Sequence, residues 1–313
     1  REAATMPLSV FRGSVMPSLT ARLIKAFSRR TIKRHGLTPE QLVRHLRRHF
    51  NHTPTVTLLP RGVRCRTLQA SGFDGDLVSV ATPRCAVLYI HGGAYIAGVT
   101  RTYHNLAGRL ARDLDAAVYL PRYPFAPEHP FPAAVNRIVD SYRFLLDEGH
   151  DASRIVIAGD SAGGGLSLAL LLALRDQGLP MPRAAALFSP GTNAHGNGAS
   201  VLTNDHSDAM LSADMVRTVT DIYVPDHSQR DHPYASPGKA DFHGLPPLLV
   251  TVARDEVLYS DAVDVRERAR EAGVPVQWIE RDGLFHVWPI MVPFLREARQ
   301  DIERVVTFLR NPG

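Results

Sequence analysis

The chain predicts an α/β protein: a mostly parallel central sheet with helices on both faces, roofed by helical cap segments. Three observations carry this. Short apolar runs of strand type recur at 86–90, 116–120, 154–158, 184–188, 247–253 and 274–280. Helical stretches fall between most of them, at 103–114, 133–147, 162–176 and 260–272, with a last one at 293–310. The residues best suited to chemistry lie where strands end. Alternation of this kind gives a parallel sheet buried on both sides, with reactive groups at the carboxyl ends of its strands.

Residues 1–50 hold eleven Lys or Arg against two acidic residues, so this segment carries +9 of a net +5 and the remainder about −4. Nucleic acid or anionic membrane is one reading of Arg22 to Arg48. Apolar residues at Leu19, Leu23, Ile24 and Phe27, then Leu42, Val43, Leu46 and Phe50, have helical spacing and favour two amphipathic helices with solvated basic faces. No nucleic-acid module accompanies the charge. His45 and His49 have the i, i+4 spacing of a metal pair but lack the Glu of H-E-x-x-H, and belong to the same wet face.

The stretches 63–70 (VRCRTLQA) and 76–80 (DLVSV), joined through Ser71 to Gly75, read as an antiparallel hairpin. The strand 86–90 (AVLYI) runs into His91, Gly92, Gly93, Ala94 and Tyr95. This is close to the HGGG-type loop whose amides, with the one after a nucleophile, form an oxyanion hole. The donors expected here are Gly92 and Gly93, with Ala94 as a further candidate, and Ala162.

The strand 154–158 (RIVIA) and the buried helix around 166–174 (LSLALLLAL) enclose Gly159, Asp160, Ser161, Ala162 and Gly163, a G-x-S-x-G turn. Small flanking residues let the chain turn sharply enough to hold a serine hydroxyl above a sheet, so Ser161 is the candidate nucleophile. The stretch 190–225 is irregular, then helical from about Ser212 to Tyr223. The strand at 247–253 ends in Arg254, Asp255 and Glu256. His286 follows the next strand and is the sole histidine after position 243. The order serine, acid, histidine is that of α/β-hydrolases.

These pieces resemble the bacterial hormone-sensitive-lipase family of esterases, in its GDSAG group. The similar segments are HGGAY at 91–95, YPFAPEHPFPAA at 123–134, GDSAGG at 159–164, ASP at 235–237, GLPPLLV at 244–250 and FHVW at 285–288. Two departures occur: Ala94 stands for the third glycine of HGGG, and Pro124 and Phe125 alter the usual Tyr-Arg-Leu-Ala-Pro-Glu. An alanine amide donates as well as a glycine amide.

The resemblance implies an α/β-hydrolase fold and a serine carboxylesterase acting on short- to medium-chain acyl esters through an acyl-enzyme. It divides the chain into an N-terminal helical cap segment at 1–55, a catalytic domain at 56–189 and 226–313, and an inserted cap segment at 190–225. In the commoner family form the acid stands two residues before a leucine and about thirty before the histidine. Counting from Leu258 and His286 favours Glu256 over Asp255, which would then face elsewhere, toward Arg254 or a backbone amide. The expected catalytic set is Ser161, Glu256 and His286. Glu128 and Asp160 would shape the surroundings of the elbow without a catalytic role.

No cofactor or metal is implied, and the expected partner is a small-molecule ester, with neither nucleic acid nor stable membrane insertion. No apolar stretch approaches the ~20 residues of a membrane span. Arg12, Arg22 and Lys25 interrupt the apolar residues before a signal-peptide core could form. Two cysteines, Cys65 and Cys85, make no disulfide framework and suit the cytoplasm. The strand at 274–280, last in sequence, is expected at the sheet edge, and with the resemblance makes a homodimer plausible. The competing reading is a non-catalytic small-molecule binding protein on the same scaffold.

Overall fold

The computed structural model describes residues 9–13, 16–52 and 56–312. Among the described residues nine strands form one sheet: β1 (Ser9–Gly13), β2 (Arg64–Ala70), β3 (Phe73–Ser79), β4 (Cys85–Ile90), β5 (Ala116–Pro121), β6 (Ile155–Asp160), β7 (Ala184–Phe188), β8 (Leu248–Ala253) and β9 (Val276–Arg281). Their order is β1-β9-β8-β7-β6-β4-β5-β3-β2. Only the β2/β3 and β3/β5 pairs are antiparallel. The hairpin turn at 71–72 is tighter than the five-residue turn expected.

The central strands are buried on both faces, and their side chains alternate between two cores. On β4, Leu88 and Ile90 join one core while Val87 and Tyr89 join the other, as the two-residue period requires. The first core is covered by α4 (Ala133–Asp147), α5 (Ala162–Asp176) and α8 (Tyr259–Glu271). The second is covered by α3 (His104–Leu114) and α9 (Arg296–Arg310). Every residue of α5 from Ala162 to Leu174 is buried, which explains why its sequence is almost uniformly apolar.

The expected place of β9 at the edge is corrected. β1 pairs in parallel along its outer side, from Ser9 opposite Gln277 to Gly13 opposite Arg281. The Phe11 ring lies under the Arg304 guanidinium at 3.7 Å. The pairing spans most of the chain in sequence, so no local pattern announces it.

Above the carboxyl ends of the strands lie α1 (Leu19–Thr31), α2 (Pro39–His52), α6 (Ala199–Thr203) and α7 (Ala213–Tyr223). Helix α2 behaves as its periodicity predicts: Leu42, Val43 and Leu46 are buried and Phe50 packs beside them. His45 Nε2 lies 2.8 Å from the Ile32 carbonyl, a structural contact in place of the solvated position expected.

Helix α1 departs from its expected orientation. Leu19, Leu23 and Phe27 are 64%, 61% and 61% exposed, and the helix turns Ala21 and Ser28 inward. Its basic residues, with Lys33 just past its end, do the anchoring. Lys25 Nζ sits 2.5 Å from Asp255 Oδ2, Arg29 donates to the carbonyls of His206 and Ser207, and the buried Lys33 donates to those of Asp205 and Asp208. The partner surface offers carbonyls and a carboxylate, so the polar face packs. No helix among the described residues is long and apolar enough to cross a membrane.

Candidate active site

The turn between β6 and α5 holds Ser161 at φ 53°, ψ −121°. That left-handed conformation is costly for a residue with a Cβ and persists because the surroundings fix it. The Ser161 amide donates to the Phe188 carbonyl at 2.8 Å, and the Ser161 carbonyl accepts from Gly165 and Gly191. The flanking glycines are steric necessities. A Cβ on Gly159 would strike the Gly163 carbonyl and Ser167 Oγ, and one on Gly163 would strike the Ile90 and His91 carbonyls.

Ser161 Oγ lies 2.8 Å from His286 Nε2, and His286 Nδ1 lies 2.8 Å from Glu256 Oε2. The other carboxylate oxygen, Glu256 Oε1, accepts from Ser189 Oγ and the Ala253 amide, both at 2.8 Å. A buried carboxylate is tolerated when its oxygens are satisfied in this way. Asp255 turns outward to Lys25, not to Arg254, which instead meets Glu280 at 2.5 Å.

Two supporting residues were not read from the sequence. Ser189, held at φ 46° beyond β7, donates to Glu256 and accepts from the Val287 amide at 3.2 Å, so it ties the acid to the histidine loop. Asp208, fully buried, accepts from the Val257 amide through Oδ2 and from the Met210 and Leu211 amides through Oδ1. It thereby joins the segment after the acid to the cavity wall. A serine just past the strand beside the nucleophile strand was the available signal for Ser189; Asp208 sits in irregular sequence and had none.

Burial alone would lower the His286 pKa. The Glu256 hydrogen bond, with the charges of Glu256, Asp208 and Asp160, outweighs it and raises the value above 6.5. His91 moves the other way, to about 4, because burial penalises its cation despite the Gly92 carbonyl at Nδ1. It is therefore a neutral ring, stacked on Tyr123 at 4.5 Å.

The expected oxyanion donors need one correction. The Gly92 amide is engaged elsewhere, donating to Asp160 Oδ1 at 3.0 Å and to Tyr103 Oη at 3.1 Å. Gly93, Ala94 and Ala162 face the cavity. Gly93 has φ +124°, where a Cβ would meet the Ala97 carbonyl, and Ala94 follows at φ 58°. These angles turn the chain after Gly92. Ala162 opens the fifteen-residue helix α5, whose first amides have no partner within the helix.

Asp160 is buried beneath this loop, taking hydrogen bonds from Tyr89, Tyr103 and Gly92. Burial pushes its carboxyl up to about 6 against those bonds. Glu128 pairs with Arg47 of α2 at 2.5 and 2.8 Å, fastening the cap helix to the segment before α4.

Ser161 and His286 open into a cavity of about 160 Å³. Its walls are largely apolar: Ile32 just past α1, Leu46 and Phe50 from α2, and Met215, Val219 and Tyr223 from α7. Tyr95 stacks on Tyr223 at 3.7 Å. Trp288 is not in this wall; it is buried and donates to Asp301. A polar group in the lining is Asp261, whose Oδ2 accepts from the Thr192 and Asn193 amides and whose pKa burial raises to about 7.

Metal-type donors meet at Cys65, Asp76 and His104 on the β2/β3 side of the sheet. There the Asp76 oxygens already accept from Thr67, Thr100 and Arg122 and lie 2.8 Å from His104 Nε2. The cluster reads as a hydrogen-bonded tie between strands and α3.

This arrangement can pass a proton from a hydroxyl to an imidazole beside a carboxylate, with Gly93, Ala94 and Ala162 lining the same space. The α/β hydrolase fold family matches residues 87–290. An acetyl-hydrolase of Streptomyces hygroscopicus is 42% identical over 72% of this chain and 75% of its own length. An esterase of Acinetobacter venetianus is 33% identical over 92% of this chain and 94% of its own. The crystal structure of an esterase from the bacterial hormone-sensitive-lipase family superposes with a TM-score of 0.85 at 34% identity, covering 95% of this chain and 99% of that one.

Proposed function

Since this chain belongs to the bacterial hormone-sensitive-lipase family of α/β-hydrolases and is a carboxylic ester hydrolase, we propose that it works through a Ser161–His286–Glu256 triad and an acyl-enzyme. His286 Nε2 takes the hydroxyl proton as Ser161 Oγ attacks the ester carbonyl. The imidazolium gives that proton to the leaving alcohol as the tetrahedral intermediate collapses to the acyl-serine. Water, deprotonated by the same nitrogen, then attacks the acyl-serine and releases acid. Glu256 holds Nδ1–H and offsets the imidazolium charge. The oxyanion is received by Gly93, Ala94 and Ala162, each donor contributing roughly 3 kcal/mol in a site that excludes bulk water.

The observation that carries this reading is the unbroken hydrogen-bond chain from Ser161 to Glu256, both links 2.8 Å. A cavity of about 160 Å³ favours short to medium acyl chains, and the acetyl-hydrolase relative supports the short end. Of the expected cap segments 1–55 and 190–225, residues 16–52 and 190–225 act as the cap, since both supply the apolar walls, whereas Ser9–Gly13 belongs to the central sheet as β1. A cytoplasmic location and a homodimer complete the proposal; β1 occupies the flank of β9, so a dimer would use another surface.

A fluorophosphonate probe tests the mechanism. Labelling of the wild type, abolished in Ser161→Ala and His286→Ala, is the expected result. An unlabelled, folded protein that binds esters without turnover would favour the receptor-like alternative. Catalytic efficiency across esters of graded acyl length should fall beyond medium chains. Faster turnover on long-chain emulsions would overturn the substrate assignment.

A further inference from the structure

The outward stripe of α1 is unusual in composition. Leu19, Leu23 and Phe27 recur at i, i+4 and i+8, so they share one face, and each is more than 60% exposed. Met16, just before the helix, is 87% exposed. Arg22 and Arg30 border this face, both exposed, and neither guanidinium has a partner among the described residues. Arg30 also lines a groove between α1 and α2, with Arg34, Arg48, His45, His49 and His52.

We infer that this face of α1 is an interfacial docking surface that seats the enzyme on an anionic lipid bilayer. An apolar stripe rimmed by basic side chains is the composition that enters the headgroup–acyl boundary, with leucine and phenylalanine below and arginine at the phosphates. At thirteen residues, or about 20 Å, the helix lies in the interface and does not span it. The charge argues for this occupant over a second copy. A two-fold contact through the same patch would bring Arg22 and Arg30 against their own counterparts, inside a segment carrying +9. Nucleic acid would leave the apolar stripe unburied.

Docking there has a direct relation to the active site. The opposite side of α1 is fixed to the loops at 206–207 and 255 through Arg29 and Lys25, and Lys33, two residues past the helix, is fixed to the Asp208 carbonyl. Ile32, one residue past the helix, is part of the cavity wall. The bilayer would thus lie over the roof of the site and concentrate amphiphilic esters beside it, with pocket size unchanged. The inference is independent of the roles proposed for Ser161, His286 and Glu256.

Vesicle co-sedimentation of the full chain tests it. Wild type should partition about tenfold or more in favour of mixed phosphatidylcholine–phosphatidylglycerol vesicles over phosphatidylcholine alone, and high salt should reduce this. The combined Leu19→Ser, Leu23→Ser and Phe27→Ser variant should lose the binding and keep its kcat/KM on a soluble short ester. Arg22→Ser with Arg30→Ser, at exposed positions that leave folding intact, should lose the anionic preference. Absence of wild-type binding, or binding undiminished in both variants, overturns the proposal. So does a wild-type dimer that ignores vesicles and dissociates on removal of the stripe, since a second copy would then be its cover.

Discussion

Asp160 Oδ1 accepts the Gly92 amide at 3.0 Å, so the residue before the nucleophile holds the loop proposed to carry the oxyanion donors. The two segments are far apart in sequence and adjacent on β4 and β6, whose ends bring Ile90 opposite Gly159. Asp160→Asn keeps an acceptor but turns a donor toward the hydroxyls of Tyr89 or Tyr103. We expect kcat to fall about tenfold to a hundredfold with KM little changed, because the misplaced amides matter most when charge develops. A rise in KM at constant kcat would remove the positioning role. Asp160→Ala should also lower stability, by about 1–3 kcal/mol for each donor left unsatisfied.

The adjacent carboxylates divide sharply. Glu256 faces His286 from a buried position, whereas Asp255 meets Lys25 in a pair with 32% and 22% of the side chains exposed. Glu256→Gln removes the charge that stabilises the imidazolium and should lower kcat by about three to four orders of magnitude. Asp255→Asn should stay within about threefold and cost under about 1 kcal/mol of stability, as partly solvated pairs do. Steady-state kinetics on both folded variants decides it, and the reverse ranking would transfer the role to Asp255.

What the sequence made legible follows what is local. Apolar runs with turns between them locate β4 to β9, and G-x-S-x-G fixes Ser161 because the strand-to-helix turn is a local pattern: Gly159 is demanded by Gly163 and Ser167 a few residues on, although Gly163 is demanded by the carbonyls of Ile90 and His91 on the neighbouring strand. Periodicity shows that α1 has an apolar stripe but not which side packs. That depended on carbonyls at 205–208 and on Asp255, remote in sequence. Which residues of the HGGA loop line the cavity is set by backbone angles at Gly93 and Ala94 that no residue type announces, so the sequence does not show that the Gly92 amide turns to Asp160. The β1–β9 pairing escaped for the same reason as the α1 orientation.

The acid limb of kcat/KM should follow His286. Its pKa is lowered by burial and raised further by Glu256, Asp208 and Asp160, with a net position above 6.5. Activity should therefore be half lost at a pH above 6.5, where the free-enzyme imidazole gains its proton and can no longer accept one from Ser161. Asp208→Asn removes one of the charges that favour the cation, so the limb should move toward acid whatever happens to the plateau. An unmoved limb in a folded variant would show that Asp208 acts through its backbone contacts alone.

Asp261 gives a pH dependence of stability with a definite sign. Its ordinary value is 3.8, and burial raises the folded one to about 7 against the hydrogen bonds from Thr192 and Asn193. Between those values the folded chain keeps a proton that the unfolded chain has released. Stability therefore falls as pH rises through this window and levels above about 7, with a slope near ~1.4 kcal/mol per pH unit for one proton. Asn at 261 is nearly isosteric, and its oxygen can still accept both amides, but it does not titrate. Groups shared by the two proteins, His91 and His286 among them, cancel in the difference. Urea unfolding of wild type and Asp261→Asn at pH 5 and pH 7.5 should show the variant gaining stability relative to wild type at the higher pH. A difference constant across that range would mean that Asp261 is ionised throughout, held as a carboxylate by the two amides.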